Sequence, residues 1–203
     1  MKRTALISVF DKTGIVSFAK ALSDIGFDIL ASGGTAKVLI NAGIGVTDVA
    51  TIVGEPILGH RVVTLSREIH AGLLAQDTEE DNAELARIGI PRIDLVYVNL
   101  YPLVDEINRE EHSLQSVIEK TDIGGPTMLR SAAKGRRIVM FKPEQINTVL
   151  KTIVERDFMN GGKMRNCFIS ALVAEAETEI SNYCASSAGF HREMARILEY
   201  VND

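Results

Sequence analysis

The stretch GHRVVTLSREIHAG, residues 59–72, concentrates side chains that could do chemistry. It contains two of the four histidines of the chain, together with two arginines, a serine and a glutamate. Such a set could bind a metal ion, lie on a solvated surface, or line a pocket for a charged substrate. His60 and His70 stand ten residues apart with no cysteine nearby, which is not a zinc-binding spacing. The sequence therefore predicts no metal site.

Two short runs near the N-terminus indicate an anion site. SGGT, residues 32–35, lies between a predicted strand and a predicted helix, where glycine N–H groups and the positive end of the helix favour an anion. Ser8 and Lys12 follow the neighbouring strand and bring a hydroxyl and a charge to the same sheet edge. The set favours a phosphomonoester, although SGGT taken alone fits a capped helix turn equally well.

Two later runs place polar groups at predicted element boundaries. NLYP, residues 99–102, puts Asn99 and Tyr101 at the mouth of a strand that Pro102 cannot continue, and a tyrosine in such a place is ordinarily a rim residue. TDIGGPTMLRSAAK, residues 121–134, opens a helix with a double glycine and a proline. The bare glycine backbone can face a planar ligand, whereas a solvated helix with an aspartate cap does not explain the two glycines.

Hydrophobic patterning supplies the elements that position these runs. Continuous apolar segments predict strands at 4–10, 27–32, 46–50, within 91–102 and at 136–141. Helical spacing predicts helices at 15–26, 36–43, 113–120, 127–134, 144–158, 163–183 and 190–201. The predicted fold class is α/β, a three-layer Rossmann-like sandwich with a mainly parallel sheet and a C-terminal helical extension. We expect one domain over residues 1–203, with a core of 1–142 and the extension at 143–203.

Composition limits the classes of function. Of the 203 residues, 46% are hydrophobic and 24% are charged, and the formal net charge is −5, as in ordinary globular proteins. No basic block could follow a phosphate backbone and no apolar run could span a bilayer, so neither nucleic acid nor a membrane is an expected partner. The N-terminal apolar run stops at Asp11 without a cleavage site, and Cys167 and Cys184 form no disulfide framework. We therefore expect a cytoplasmic protein, with His112 and His191 in solvent.

The motifs together resemble a known family. SVFDKTGI, SGGTAK, TLSREIHAGLLA, IDLVYVNLYP and TDIGGPTMLRSAAK, in this order and spacing, are similar to the IMP cyclohydrolase domain of the bifunctional AICAR transformylase/IMP cyclohydrolase family. The likeness runs from residue 3 to 142 and continues more weakly through CFISALVAEAETEISNY. Methylglyoxal synthase and the regulatory domain of carbamoyl-phosphate synthetase share the early motifs and lack the later pair. The resemblance thus implies a methylglyoxal synthase-like fold and a stand-alone cyclohydrolase.

The implied reaction closes the purine ring at the last step of purine biosynthesis. In 5-formamidoimidazole-4-carboxamide ribotide (FAICAR), the carboxamide nitrogen attacks the formyl carbon, and water leaves to give IMP. The resemblance implies that neither a cofactor nor a metal takes part. It also implies a separate AICAR formyltransferase that supplies the substrate. The apolar helical C-terminus further suggests that the chain forms a homodimer.

The resemblance implies a role for each matched residue. The catalytic set would be Arg61, Asn99, Tyr101, Asp122 and Lys134. The substrate-binding set would be Ser8, Lys12, Ser32, Gly33, Gly34, Thr35, Thr64, Ile123, Gly124 and Gly125. The residues before position 36 would hold the 5′-phosphate, Tyr101 would transfer or hydrogen-bond a proton, Asp122 and Lys134 would relay protons, and the backbone of 123–125 would contact the base.

One position departs from the family pattern. The family loop reads GRVKTLHPKIHGG, whereas this chain has HRVVTLSREIHAG, so the lysine that would polarise the formyl group falls on Val63. Three interpretations remain open. His60 or Arg67 replaces the cation; Tyr101 and Lys134 suffice for a slower enzyme; or the domain binds the nucleotide without turning it over.

Two other functions compete with the cyclohydrolase. A methylglyoxal synthase would use an aspartate and a histidine on dihydroxyacetone phosphate, and NLYP and DIGGP would have no role in that reaction. A non-catalytic nucleotide sensor would bind IMP or AICAR ribotide tightly without producing IMP.

Overall fold

A single parallel sheet forms the centre of the computed structural model, which describes residues 2–59, 61–155, 158 and 162–201. The strands are β1 (Arg3–Val9), β2 (Phe27–Ala31), β3 (Thr47–Asp48), β4 (Leu95–Asn99) and β5 (Ile138–Met140), in the order β3-β2-β1-β4-β5. β1 and β4 are buried along almost their whole length. Continuous apolar strands of this kind belong to parallel sheets that are covered on both faces.

Helices connect and cover the strands. They are α1 (Ile15–Asp24), α2 (Gly33–Asn41), α3 (Ala50–Val53), α4 (Arg67–Leu74), α5 (Glu79–Ile88), α6 (Leu103–Ile107), α7 (Leu114–Lys120), α8 (Gly124–Lys134), α9 (Gln145–Ile153) and α10 (Lys163–Val201). In α1 the buried side chains are Ile15, Phe18, Ala19 and Leu22, which recur at the spacing of one helix face. The Phe18 ring packs edge-on against Tyr97 of β4, with ring centroids 5.7 Å apart.

The order of the strands decides where the helices lie. From β1 the chain moves outward through β2 to β3, and then returns to the other side of β1 with β4 and β5. Right-handed crossovers in opposite directions place their helices on opposite faces of the sheet. Accordingly, α1 packs on β2 and α9, whereas α8 packs on β4, β5 and α4. The predicted three-layer α/β sandwich with a C-terminal helical extension is confirmed, and every described strand pair is parallel.

The C-terminal helix α10 joins the body through a second, smaller core. This core consists of Leu103, Val117, Tyr183 and Phe190, from α6, α7 and α10. The Tyr183 hydroxyl accepts a hydrogen bond from the Asp122 backbone N–H at 2.6 Å and donates one to the Lys120 carbonyl at 3.3 Å. Burial raises the pKa of Tyr183 to about 12, so the hydroxyl keeps its proton at neutral pH. α10 thus fixes the turn that precedes α8.

Residues 59–90 differ most from the sequence prediction, because α4 and α5 were not expected there. Ser66 caps the N-terminus of α4, and its side chain accepts a hydrogen bond from the Ile69 N–H at 3.2 Å. His70 lies on α4, where its Nδ1 is 2.9 Å from the Ser131 hydroxyl of α8, and burial lowers the pKa of His70. His60 lies outside the described residues. His70 therefore joins two helices.

Two further observations concern metals and membranes. Among the described residues, no group of three or more His, Cys, Asp or Glu side chains could hold a metal ion. In the same part of the chain, no helix combines the length and apolar character needed to cross a bilayer.

Cys167 and Cys184 are both exposed and free on α10. The two helices predicted over 163–183 and 190–201 are one continuous helix.

The junction of α4 and α8 is tight enough to test by mutation. A Cβ atom at Gly135 would overlap the Leu73 carbonyl oxygen, which also accepts a hydrogen bond from Arg137 Nε at 2.7 Å. We expect Gly135→Ala to lower the free energy of unfolding by about 1–3 kcal/mol, because backbone must move to relieve the overlap. Urea denaturation measures the change. The control is Gly45→Ala at an exposed site with no atom within 4 Å of the added Cβ, and equal losses in the two variants would contradict the prediction.

Candidate active site

A cavity of about 680 Å³ opens at the carboxyl edge of the sheet. Of the residues predicted from the sequence, it is lined by Ser8, Lys12, Ser32, Gly34, Thr35, Arg61, Thr64, Asn99, Tyr101, Asp122, Ile123, Gly124 and Gly125. Two predicted residues are not in the lining of this cavity. Gly33 opens α2 with a φ of +37°. Lys134 is exposed at the last position of α8, roughly 15 Å along the helix axis from Gly124.

Strand register explains why these distant residues meet. Ile7 of β1 pairs with Ala31 of β2, and Val9 pairs with Asn99 of β4. The residues that follow these pairs therefore leave the sheet at one edge. β1 is also the strand from which the chain turns first one way and then the other, and ligands of open parallel sheets bind at such a switch point.

The β1–β2 end of the cavity collects groups that can hold an anion. The Ser8 and Ser32 hydroxyl oxygens are 2.6 Å apart. Ser32 occupies the position before α2, yet its side chain makes no capping hydrogen bond. The first N–H groups of a helix have no intrahelical acceptor and favour a negative charge. The arrangement thus supports the anion-site interpretation of SGGT over the capped turn.

Thr35 and Lys12 tie this end together. The Thr35 hydroxyl accepts a hydrogen bond from the Val9 N–H at 3.1 Å and donates to the Val9 carbonyl at 3.2 Å. Because both contacts are to β1, Thr35 positions the helix start. The Lys12 ammonium donates to the carbonyls of Val9 and Phe10. Burial lowers the pKa of Lys12, and the neighbouring Asp11 opposes that shift; an anionic ligand would act in the same direction as Asp11.

Arg61 supplies a second cation on the cavity wall. Its Nε donates to the Leu58 carbonyl at 2.6 Å. Among the described residues, this is the hydrogen bond that holds the guanidinium, so its two terminal nitrogens remain for a ligand. Arg67 does not line the cavity, and its guanidinium is 3.5 Å from the Glu68 carboxylate. The structure gives no support to Arg67 as the replacement for the missing family lysine.

Asn99 holds the loop that follows β1. Its amide oxygen accepts hydrogen bonds from the N–H groups of Phe10 at 2.5 Å and Asp11 at 3.0 Å, and its Nδ2 donates to the Asp11 carbonyl at 3.1 Å. These bonds use both lone pairs of the oxygen and one of the two amide hydrogens. Asn99 therefore positions Phe10 and the start of the loop.

The opposite end of the cavity is the turn before α8. Asp122 Oδ1 accepts a hydrogen bond from the Gly125 N–H at 3.0 Å. A Cβ at Gly125 would overlap Asp122 Oδ2, and a Cβ at Gly124 would lie 2.8 Å from the Thr64 hydroxyl. The double glycine is thus required because Asp122 and Thr64 approach the backbone closely. Burial raises the pKa of Asp122, while backbone N–H groups of Gly125, Tyr101 and Gly124 partly oppose the rise.

Several lining residues were not predicted. They are Val9, Phe10, Gly59, Val98, Ile118, Glu119, Thr121, Met128 and His191. Val63, where the family lysine falls, also lines the cavity. His191 is exposed on α10, as expected, yet it belongs to this wall. Nothing local in the sequence marks Glu119 or His191, because only the packing of α7 and α10 brings them to the sheet edge.

The fold and the site define an α/β protein with a polar cavity at a switch point of a parallel sheet. Residues 14–127 match the family model of the MGS-like domain. The chain is also similar to a solved structure described as the crystal structure of ForH, with 35% identity, coverage of 93% of this chain and 96% of that chain, and a TM-score of 0.77. This chain therefore belongs to the MGS-like (methylglyoxal synthase-like) domain family.

The buried carboxylate of Asp122 makes stability depend on pH in a testable way. Its raised pKa means that ionised Asp122 destabilises the fold, fully at pH values above the raised pKa and no longer below the ordinary value of 3.8. We expect Asp122→Asn to have a higher thermal midpoint than the wild type at pH 7, because the amide can still accept from Gly125 without a buried charge. The difference should shrink as the pH falls towards the ordinary value.

Thermal denaturation across this pH range measures the difference. Asp105→Asn is the matched control, since Asp105 is exposed on α6. A constant offset between Asp122→Asn and the wild type at all pH values would contradict the assignment of a raised pKa.

Proposed function

We propose that this protein is an IMP cyclohydrolase, which converts FAICAR into IMP with loss of water. The observation that carries the proposal is the meeting of the motif residues in one cavity. The anion-binding ends of β1 and β2 share it with Tyr101, Asp122 and the glycine backbone before α8. These segments are far apart in sequence and meet at one sheet edge.

The cavity orients a ribonucleotide. The 5′-phosphate binds at the β1–β2 end, where Ser8, Ser32, Lys12 and the start of α2 converge. Neighbouring strands lie about 4.8 Å apart, so the path from β2 across β1 to β4 is about 10 Å. The ribose occupies the start of this path, and the base lies along the rest of it, against Asn99, Tyr101 and the turn at Asp122.

The proposed reaction takes place at the end of the cavity that Tyr101 and Asp122 line. A carboxamide nitrogen is a poor nucleophile, so the cavity must hold it against the formyl carbon in near-attack geometry. The Asp122 carboxylate accepts a proton from this nitrogen, and its raised pKa favours the transfer. The Tyr101 hydroxyl donates a hydrogen bond to the formyl oxygen as charge develops there. As the new C–N bond forms, that oxygen becomes a hydroxyl.

Water then leaves with this oxygen. One of its protons comes from the carboxamide nitrogen and the other from the formamide nitrogen. The new C–N bond has already closed the ring, and loss of water leaves a C=N bond between the former formyl carbon and the formamide nitrogen. Lys134 has no step here, because it does not line the cavity of its own chain. A separate formyltransferase must supply FAICAR, since the proposed site only consumes the formyl group.

Val63 determines the expected rate. Valine cannot polarise the formyl group, so we expect slow cyclisation by the wild type, faster cyclisation by Val63→Lys, and a kcat about a hundredfold lower in Tyr101→Phe, the lower end of what a positioned proton-transfer group contributes. The absorbance rise from IMP formation measures each rate. Val104→Lys is the matched control, because Val104 is 49% exposed on α6 and does not line the cavity.

The outcomes separate the alternatives. An inactive wild type that binds IMP and is restored by Val63→Lys would favour the nucleotide sensor. An active wild type with an unslowed Tyr101→Phe would show that the role given to Tyr101 is wrong. If Val104→Lys increased the cyclisation rate as much as Val63→Lys, the increase would not depend on placing the lysine in the cavity.

Methylglyoxal synthase is the second candidate, because the same cavity holds both an acid, Asp122, and a histidine, His191. A triose phosphate carries neither ribose nor base, so it would leave that end of the cavity unoccupied. We therefore expect no phosphate release from dihydroxyacetone phosphate. A phosphate assay with the wild type and His191→Gln tests this, and turnover that His191→Gln abolishes would replace the cyclohydrolase proposal.

A further inference from the structure

Two aromatic rings stand at the mouth of the cavity. Phe10 is 49% exposed and Tyr101 is 45% exposed, and both line the cavity. Their ring centroids are 5.3 Å apart, with an interplanar angle of 66°, which is a favourable edge-to-face geometry. A phenylalanine ring that is half exposed forgoes much of the free energy that its burial would give. A contact with a ligand would recover it.

The backbone holds the Phe10 ring in this position. The Phe10 N–H donates to the Asn99 amide oxygen at 2.5 Å, and the Phe10 carbonyl accepts from the Lys12 ammonium at 3.3 Å. With its backbone anchored on both sides, residue 10 carries its side chain from a fixed point, and the edge contact with Tyr101 orients the ring. A ring fixed in advance loses little conformational entropy when a ligand binds against it.

The position of Phe10 indicates which part of a ligand it meets. It follows β1, which lies between β2 with its anion-binding turn and β4 with Asn99. Two residues further on, Lys12 marks the anion end, while Tyr101 marks the opposite side. An apolar aromatic face between a cationic end and a carboxylate end fits a planar heterocycle that carries a phosphate. A small phosphate without a ring would leave that face uncovered.

We propose that Phe10 is a specificity-determining residue, which packs against the heteroaromatic ring of a bound nucleotide with Tyr101 as its edge partner. The inference rests on the ribonucleotide of the proposed function, but it requires only binding and not turnover. Base–aromatic packing of this kind depends on the π face of the ring and tolerates different bases. Phe10 therefore selects ring-bearing phosphates over ring-free ones.

Titration calorimetry with two ligands tests the proposal. IMP carries the ring, and ribose 5-phosphate carries the same phosphate and sugar without it. We expect Phe10→Ala to raise the Kd for IMP about tenfold or more and to leave the Kd for ribose 5-phosphate unchanged. Phe10→Leu, which keeps apolar volume without a π face, should lie between wild type and Phe10→Ala.

Controls keep the result interpretable. Ile40→Ala removes another apolar side chain, which is 52% exposed on α2 and outside the cavity lining, and should change neither Kd. Unchanged thermal midpoints show that the variants are folded. Equal losses for both ligands in Phe10→Ala, an unchanged Kd for IMP, or a wild type that does not bind IMP would each overturn the proposal.

The cyclisation assay separates this inference from the proposed function. Absence of turnover with a ring-selective loss of binding in Phe10→Ala would reject the cyclohydrolase and keep the role of Phe10. Turnover without a ring-selective loss would do the reverse.

Discussion

The carboxylate of Asp122 is the group on which the site depends most. A buried carboxylate is costly unless backbone donors surround it, and here the Gly125 N–H meets it at 3.0 Å. That approach is possible only because residues 124 and 125 lack side chains, since Thr64 and Asp122 occupy the space that Cβ atoms would fill. Tyr183 then takes up the N–H of Asp122 itself. The acidic side chain thus sets the backbone of the turn next to the glycines, and the backbone N–H of the same residue binds α10.

Much of this arrangement could be predicted from the sequence. Continuous apolar runs identify the parallel strands, and polar residues at their carboxyl ends must share an edge, so Ser8, Ser32 and Asn99 were correctly brought together. The stretch 59–90 contains α4 and α5, which were not predicted from hydrophobic spacing, although the sequence carries signals for both. Ser66 and Thr78 cap their first turns, and Gly89 ends α5 in the left-handed conformation. Glu119 and His191 could not be found, since their place depends on helix packing across the whole chain.

The hydrogen bonds of two residues differ from those predicted from their residue types. Asn99 was expected beside the reacting groups, and most of its amide in fact binds the loop after β1. The Thr35 hydroxyl was expected on a phosphate, and it bonds to Val9. Both residues line the cavity, and these hydrogen bonds hold its wall together. Sequence motifs identify the residues at a site, but they do not separate those that touch a ligand from those that hold the wall.

The residues that line the cavity range from Ser8 on β1 to His191 on α10. No fragment that lacks either end contains the complete wall. A chain still emerging from the ribosome would therefore lack the complete binding site until α10 has packed. Once the cavity is complete, any ligand that binds the native state in preference to the unfolded state stabilises the whole molecule by mass action. The size of this stabilisation depends on the ligand concentration relative to its Kd. The concentration of any such ligand thus becomes a determinant of how long the folded protein survives.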